Sequence, residues 1–380
     1  MNVLRQLYPY ELKKLLQKKA MWIATLIIVT FCIAINLSGI IEDCGSLANV
    51  RQQNEAAHTL SGRAIDDKLL TEMKDSLPEE QIESSPNDPY FEIERFVVFS
   101  TLNSKSLRTI DEETLYQART EQVQSNRKDL NLTENEERFW SGKESRISTP
   151  ITYTYFKGYR HFFSNAYISN YMLIILIGLS LSIVFADEYE KKTDQLLLCT
   201  LWGKQKLFHA KMLAGVTVGL LQTLLLFSIP CVFGAVFYGT DGFDAAIQLL
   251  VPECSLSLSV GTAFLITLGV ALLIGFLYSV FSLFLSVVFK TRAVVIAVMV
   301  FQLFSSMVNL PPVFRVLSDA WNYLPGSFLG AWMFTECRLV PIPGHYLTAY
   351  QAAPILYLLI GIPLTVFARK SYRNWQITGR

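Results

Sequence analysis

The chain has 380 residues, 51% hydrophobic and only 17% charged, against about 25% charged in an average soluble domain. Its net charge of +1 excludes a bulk electrostatic attraction to nucleic acid. The apolar residues are gathered into long blocks, which excludes an ordinary soluble globular protein and predicts an all-α polytopic membrane protein.

Residues 1–20, "MNVLRQLYPYELKKLLQKKA", place Leu4, Leu7, Tyr8, Leu12, Leu15 and Leu16 at helical spacing, with lysines between them. The pattern predicts a basic amphipathic helix in the membrane interface; a plain positive flank that sets topology is the simpler reading. A hydrocarbon core about 30 Å thick needs roughly 20 apolar residues. Six blocks meet that need: 21–41, 166–186, 212–238, 256–289, 293–309 and 352–368. The first is about twice the length of a signal-peptide core and no A-x-A site follows it, so it is expected to stay as a span. The fourth is too long for one straight crossing, and is expected to tilt, run beyond the bilayer, or break near Gly269 or Gly275.

Residues 42–165 read as a mainly helical domain whose core is small for its length, resting on the membrane or on a second copy. "LSGRAIDDKLLTEMKDSL" is helical up to Pro78, and "YFEIERFVVFSTLN" is a second apolar-rich segment. "DEETLYQARTEQVQSNRKDL" is a polar helix with acids in its first turn, as the helix dipole prefers. "TENEERFW" opens with a capping box, Thr133 to Glu136. "ISTPITYTYFKGY" alternates like a short strand or an extended lead-in. Residues 310–351 are too rich in Pro and aromatics for a free loop. They suggest a short helix or hairpin dipping into the outer leaflet, with its backbone buried against protein or water.

Lys and Arg set the orientation. With the N-terminus inside, residues 1–20, 187–211, 290–292 and 369–380 hold sixteen of them, and the two short outer loops only Arg315 and Arg338. Both termini are therefore expected in the cytoplasm of a multi-pass plasma-membrane protein, with 42–165 extracellular. Six cysteines follow no metal spacing; a Cys254–Cys337 disulfide and small buried thiols are both open.

Chemistry is sparse. No G-x-x-x-x-G-K-[ST] phosphate loop occurs, and the "SGKES" at Ser141 has no glycine at the required distance before it. His58, His161, His209 and His345 are scattered, so no catalytic or metal site is expected. The spans offer Asn170, Gln222, Gln302 and hydroxyls; Gln222 and Gln302 can bond between helices or touch a transported molecule. A G-x-x-x-G motif, Gly215 to Gly219, marks a close helix crossing or arises by chance.

The connection 187–211 carries the sharpest pattern. Thr193 can cap a short helix from Asp194, with Leu197, Leu198, Leu201 and Trp202 on one face, and Gly203 can end it. Such a helix either fills the interface or docks in the groove of a soluble partner, apolar anchors giving affinity and a charged rim giving register. "EYEKKTDQLLLCTLWGKQKLFHAKML" resembles the coupling segment of ABC type-2 (type V) exporter permeases, at Glu188, Thr193, Asp194, Leu196, Leu197, Gly203, Lys204, Lys206 and Lys211. "ELKKLLQKK" is similar to that family's elbow helix, and "YLPGSF" to its outer segment between the fifth and sixth spans. "GRAIDDKLL" and the region ending at Tyr159 resemble permeases of Gram-positive bacteria with a large extracellular domain.

The resemblance implies a permease subunit with no ATPase of its own. It would pair with a second permease chain, identical or related, and with nucleotide-binding subunits that hold ATP and Mg. Glu188, Thr193, Asp194, Leu197, Leu198, Leu201, Trp202 and Lys204 would form the coupling interface. An amphipathic or lipid-like cargo, such as a peptide antibiotic, suits the uncharged spans; no cofactor belongs to this chain. The alternative is a sensor or receptor subunit of an ABC-like complex that signals or does mechanical work without transport.

Overall fold

The computed structural model describes residues 3–76, 88–101, 109–193, 205–308, 310 and 313–374. The stop at Pro78 and the short helix expected from Asp194 lie outside the described residues.

Helix α1 (Val3–Leu16) leads into α2 (Lys19–Cys44), and the Trp22 indole caps the joint by donating to the Leu16 carbonyl at 2.6 Å. Next come α3 (Val50–His58), α4 (Asp67–Ser76), α5 (Phe91–Thr101), α6 (Glu112–Asp129) and α7 (Glu134–Glu144). Asp111 caps α6, and the Thr133–Glu136 capping box opens α7. The chain continues through α8 (Lys157–Leu181), α9 (Ile183–Glu190), α10 (Lys206–Tyr238), the one-turn α11 (Ile247–Leu250), α12 (Val260–Phe289) and α13 (Arg292–Ser306). Short helices α14 (Arg315–Asn322) and α15 (Pro325–Phe328) precede a 3-10 turn at Ala331–Phe334. An antiparallel hairpin, β1 (Val340–Ile342) with β2 (His345–Leu347), then leads into α16 (Ala349–Arg373).

Among the described residues, five helices are long and apolar enough to cross a membrane: Lys19–Cys44, Lys157–Glu190 (α8 with α9), Lys206–Tyr238, Val260–Phe289 and Ala349–Arg373. The shortest has 25 residues, about 37 Å at 1.5 Å each. The fifth expected block, 293–309, behaves differently. Helix α13 has 15 residues, about 22 Å, and stops at Ser306 rather than Asn309. Its end is closed by Trp321, whose indole meets the carbonyls of Ser305 at 3.1 Å and Val308 at 2.7 Å. The fourth block does not break: α12 runs unbroken from the Ser259 cap, through Gly269 and Gly275. Gly275 admits a neighbour instead, since a Cβ there would lie 2.0 Å from Thr223 Oγ1 on α10. At Gly219 a Cβ would lie 1.8 Å from Ser279 Oγ on α12, so the G-x-x-x-G face is where these two helices cross.

The helices form a bundle with two unlike ends. One, the domain end, carries α3–α7. Ile65, Leu69, Leu70, Met73, Ile93, Phe96, Trp140 and Tyr153 are buried there, in a core continuous with the bundle. Within the chain, this domain is seated on the chain's own loops. Arg119 donates to the carbonyls of Pro252 (2.8 Å) and Cys254 (3.0 Å), Arg127 to Ser255 Oγ, and the Trp140 indole to the Cys337 carbonyl at 2.6 Å. Cys254 and Cys337 are free thiols. The Cys254 thiol donates to the Phe334 carbonyl and the Cys337 thiol to that of Thr335.

Residues 325–326 are drawn in against the bundle. Asn170 on α8 donates to the carbonyls of Pro325 (2.8 Å) and Gly326 (3.1 Å), which gives backbone at that depth its partners. A Cβ at Gly326 would lie 2.0 Å from Ser306 Oγ, so only glycine fits this approach.

Candidate functional site

At the other end, the basic end, an ion-pair cluster forms where α9 runs out and α10 begins. The last turn of α9 carries Asp187 and Glu188, which are 6% and 4% exposed. Glu188 Oε1 accepts from Lys211 Nζ at 2.5 Å and from Lys14 Nζ at 2.7 Å. Lys211, fully buried on α10, also donates to the Val184 carbonyl (3.3 Å) and lies 3.5 Å from Glu11 Oε2 on α1. Asp187 binds Lys18 at 2.7 Å, Lys191 at 3.2 Å, and Arg292. Arg292, at the start of α13, also reaches Glu190 at 2.9 Å. Burial pulls the Lys14 ammonium down, but the hydrogen bond and charge of Glu188, with Glu11 behind it, leave it above its ordinary value.

Packing fixes this end as well. Between α8 and α9 the helical ladder is interrupted at Ser182, and Ser286 from α12 fills the gap. Its hydroxyl donates to the Ser182 carbonyl at 2.8 Å and accepts from the amides of Phe185 and Ala186 at 3.2 and 3.1 Å. Phe185, Phe208 and Tyr372 form an aromatic triangle with centroids 5.3 to 5.8 Å apart, joining α9, α10 and α16. Lys211 sits over the Phe185 ring at 5.5 Å.

The geometry therefore ties α1, α9, α10 and α13 into one unit at both ends of the 191–205 connection. An isolated buried charge costs several kcal/mol, so Glu188 and Lys211 hold each other in place. Tyr8 adds a contact from α1 to α10, with its hydroxyl 3.1 Å from Thr217 Oγ1.

Of the residues expected at a coupling interface, Glu188 lies at the centre of this cluster. Thr193 sits at the edge of the described chain, its amide donating to the Glu188 carbonyl at 2.9 Å and its hydroxyl at 3.3 Å. Asp194, Leu197, Leu198, Leu201, Trp202 and Lys204 lie outside the described residues. Gln222 donates to Ser180 Oγ at 2.7 Å, joining α10 to α8. Gln302 Oε1 is buried with no hydrogen-bond partner among the described residues. The two glutamines are not brought together by any described hydrogen bond.

Sequence reasoning misses Asp187, Glu11, Arg292 and Ser286. Resemblance points to Glu188 and Lys211, but Asp187, at the end of an apolar run, carries no pattern of its own. Their partners come from residues 11–18 and 292, too far along the chain for periodicity to find. The one available signal was a paired acid closing one span while a lysine opened the next.

A family model of ABC-2 family transporter proteins matches residues 6–322. No protein of curated function matches the chain.

Proposed function

The chain belongs to the ABC-2 family of transporter proteins, and from that premise we propose that it is the permease subunit of an exporter. It moves an amphipathic or lipid-like cargo, such as a peptide antibiotic. Separate nucleotide-binding subunits hydrolyse ATP with Mg, and a second permease chain, identical or related, completes the path. The basic end faces the cytoplasm and the α3–α7 domain lies outside the plasma membrane, following the Lys and Arg bias.

One observation carries this reading: Glu188, just before the 191–205 connection, is clamped by Lys211 just after it and by Lys14 on α1. Asp194, Leu197, Leu198, Leu201, Trp202 and Lys204 form the face that the ATPase subunits grip, with Glu188 and Thr193 at its root. A push on that face then reaches α1, α9 and α10 together, as a rigid-body shift rather than a local distortion.

Replacing Leu197 and Leu201 by Asp tests it. The ATPase subunits are expected to be lost on co-purification, or their hydrolysis uncoupled, while the permease still inserts. A fully coupled complex counts against the assigned face. A cysteine at Trp202 labelled by an impermeant reagent from outside intact cells overturns the orientation.

A receptor reading without transport has one supporting observation. A cleft of about 580 Å3 opens between α6 and α7, lined by Arg119, Arg127, Glu137 and Glu144. A small ligand taken there, with no ATPase among the native companions, would favour that reading.

A further inference from the structure

A second feature of the basic end takes no part in the ion-pair cluster. A shallow apolar groove of about 350 Å3 lies among four helices, lined by Leu4 of α1, Val216 of α10, Phe276 and Val280 of α12, and Thr365 of α16. Thr365 donates its hydroxyl to its own helix at the Gly361 carbonyl (3.0 Å), so it presents no free polar group. At the mouth stands His209, one turn into α10. Its charged neighbours are Arg369, one turn from the end of α16, and Lys206, the first residue of α10. From His209 to Val216 is seven residues, about 10 Å, so the slot runs along the helix axes away from a basic rim.

Lys14, Lys18, Lys191, Lys211 and Arg292 all pair with carboxylates. Among the described residues, no carboxylate pairs with Lys206 or Arg369. An apolar slot parallel to the spans, with an imidazole at one end and beside it two cations that no described carboxylate pairs, is complementary to one acyl chain below a phosphate.

We propose that this slot binds an anionic phospholipid of the surrounding bilayer, its headgroup phosphate held by Lys206, His209 and Arg369 and one acyl chain lying between α1, α10, α12 and α16. The lipid thereby packs Leu4 of α1 against α10, α12 and α16. This rests on the membrane placement of the family and not on the assigned ATPase face, whose failure is read separately by co-purification.

The test uses the purified full chain in neutral detergent, with phosphatidylglycerol and phosphatidylcholine of identical acyl chains, read by native mass spectrometry and thermal unfolding. Phosphatidylglycerol is expected to bind about tenfold more tightly and to raise the unfolding midpoint. Glycerol phosphate, lacking chains, is expected not to compete. The surface pair Lys206→Gln with Arg369→Gln is expected to remove the preference, and Val216→Trp, which fills the slot, to displace the bound lipid. Equal binding of the two lipids, competition by glycerol phosphate, or an unchanged preference in the Gln pair overturns the proposal. The Gln pair is exposed or half-buried, so its lipid preference remains decisive even where the Trp variant fails to fold.

Discussion

The two ends of the bundle bury charge in opposite ways. At the domain end an arginine acts as a wedge with a fixed set of partners. Arg160 takes Glu92 of α5 and, at 3.5 Å, Asp43 of α2, and Arg119 takes Glu144 and two loop carbonyls. Removing Arg160 strands Glu92, whose side chain is 8% exposed. At the basic end the two buried carboxylates are shared. Asp187 holds three cations and Glu188 two, several of them on flexible, half-exposed stems. A shared carboxylate can lose one cation and keep another. The domain end is therefore built as a weld, and the basic end as a joint whose contacts can be exchanged during motion.

Substitutions that strike the two ends unequally can break this contrast. The largest effect is expected from Arg160→Met, which strands Glu92 and Asp43; about 3–5 kcal/mol should be lost, seen as a fall in the thermal midpoint. A loss below about 1 kcal/mol would show that the domain end is not a weld. Lys211→Met should cost less, because Lys14 still satisfies Glu188. Its sharper signature should be ATP hydrolysis that no longer responds to the permease; preserved coupling would deny Lys211 its place in the joint.

Acid should loosen the domain end next. Burial alone would raise the Glu136 pKa, but hydrogen bonds from Leu339, Thr133 and Arg315 outweigh it and hold the carboxyl below its ordinary value. A depressed folded-state pKa contributes stability above the unfolded value, lost as pH falls through the folded one. The thermal midpoint should thus drop as the pH falls below the ordinary glutamate value of 4.5, and Glu136→Gln should flatten that slope. Glu336 nearby works in the opposite sense, since burial raises its pKa and protonation favours its folded environment. A slope unchanged in Glu136→Gln would remove Glu136 from the junction. Smallest of all, Lys14→Gln should change stability by less than about 1 kcal/mol, since its side chain is 44% exposed. A larger loss would mean the joint is as rigid as the weld.

How much of this was legible beforehand differs between the same two ends. The apolar blocks, the Thr133–Glu136 box and the polar helix after Asp111 are local patterns, and each could be read from a few consecutive residues. The length of α13 could not, because Trp321, fifteen residues beyond Ser306, closes it. Nor could the seating of the domain, since Arg119 and Arg127 read as the solvated face of a polar helix until the 252–255 loop meets them. The cluster at Glu188 was half visible. Resemblance pointed to Glu188 and Lys211, but the physics that makes them matter comes from Lys14 and Glu11, which looked like ordinary members of a positive flank.

The hydroxyl of Ser286 at the break after Ser182 has a mechanical corollary. A continuous helix carries axial thrust like a rod, whereas this one is spliced, with a neighbour's side chain standing in for its missing rungs. Displacement of its final two turns is thus spent on pivoting about the splice, and α12, which owns the hydroxyl, must swing with it. Force entering at Glu190 would arrive at mid-span as a change of tilt shared by two helices, not as a piston stroke of one.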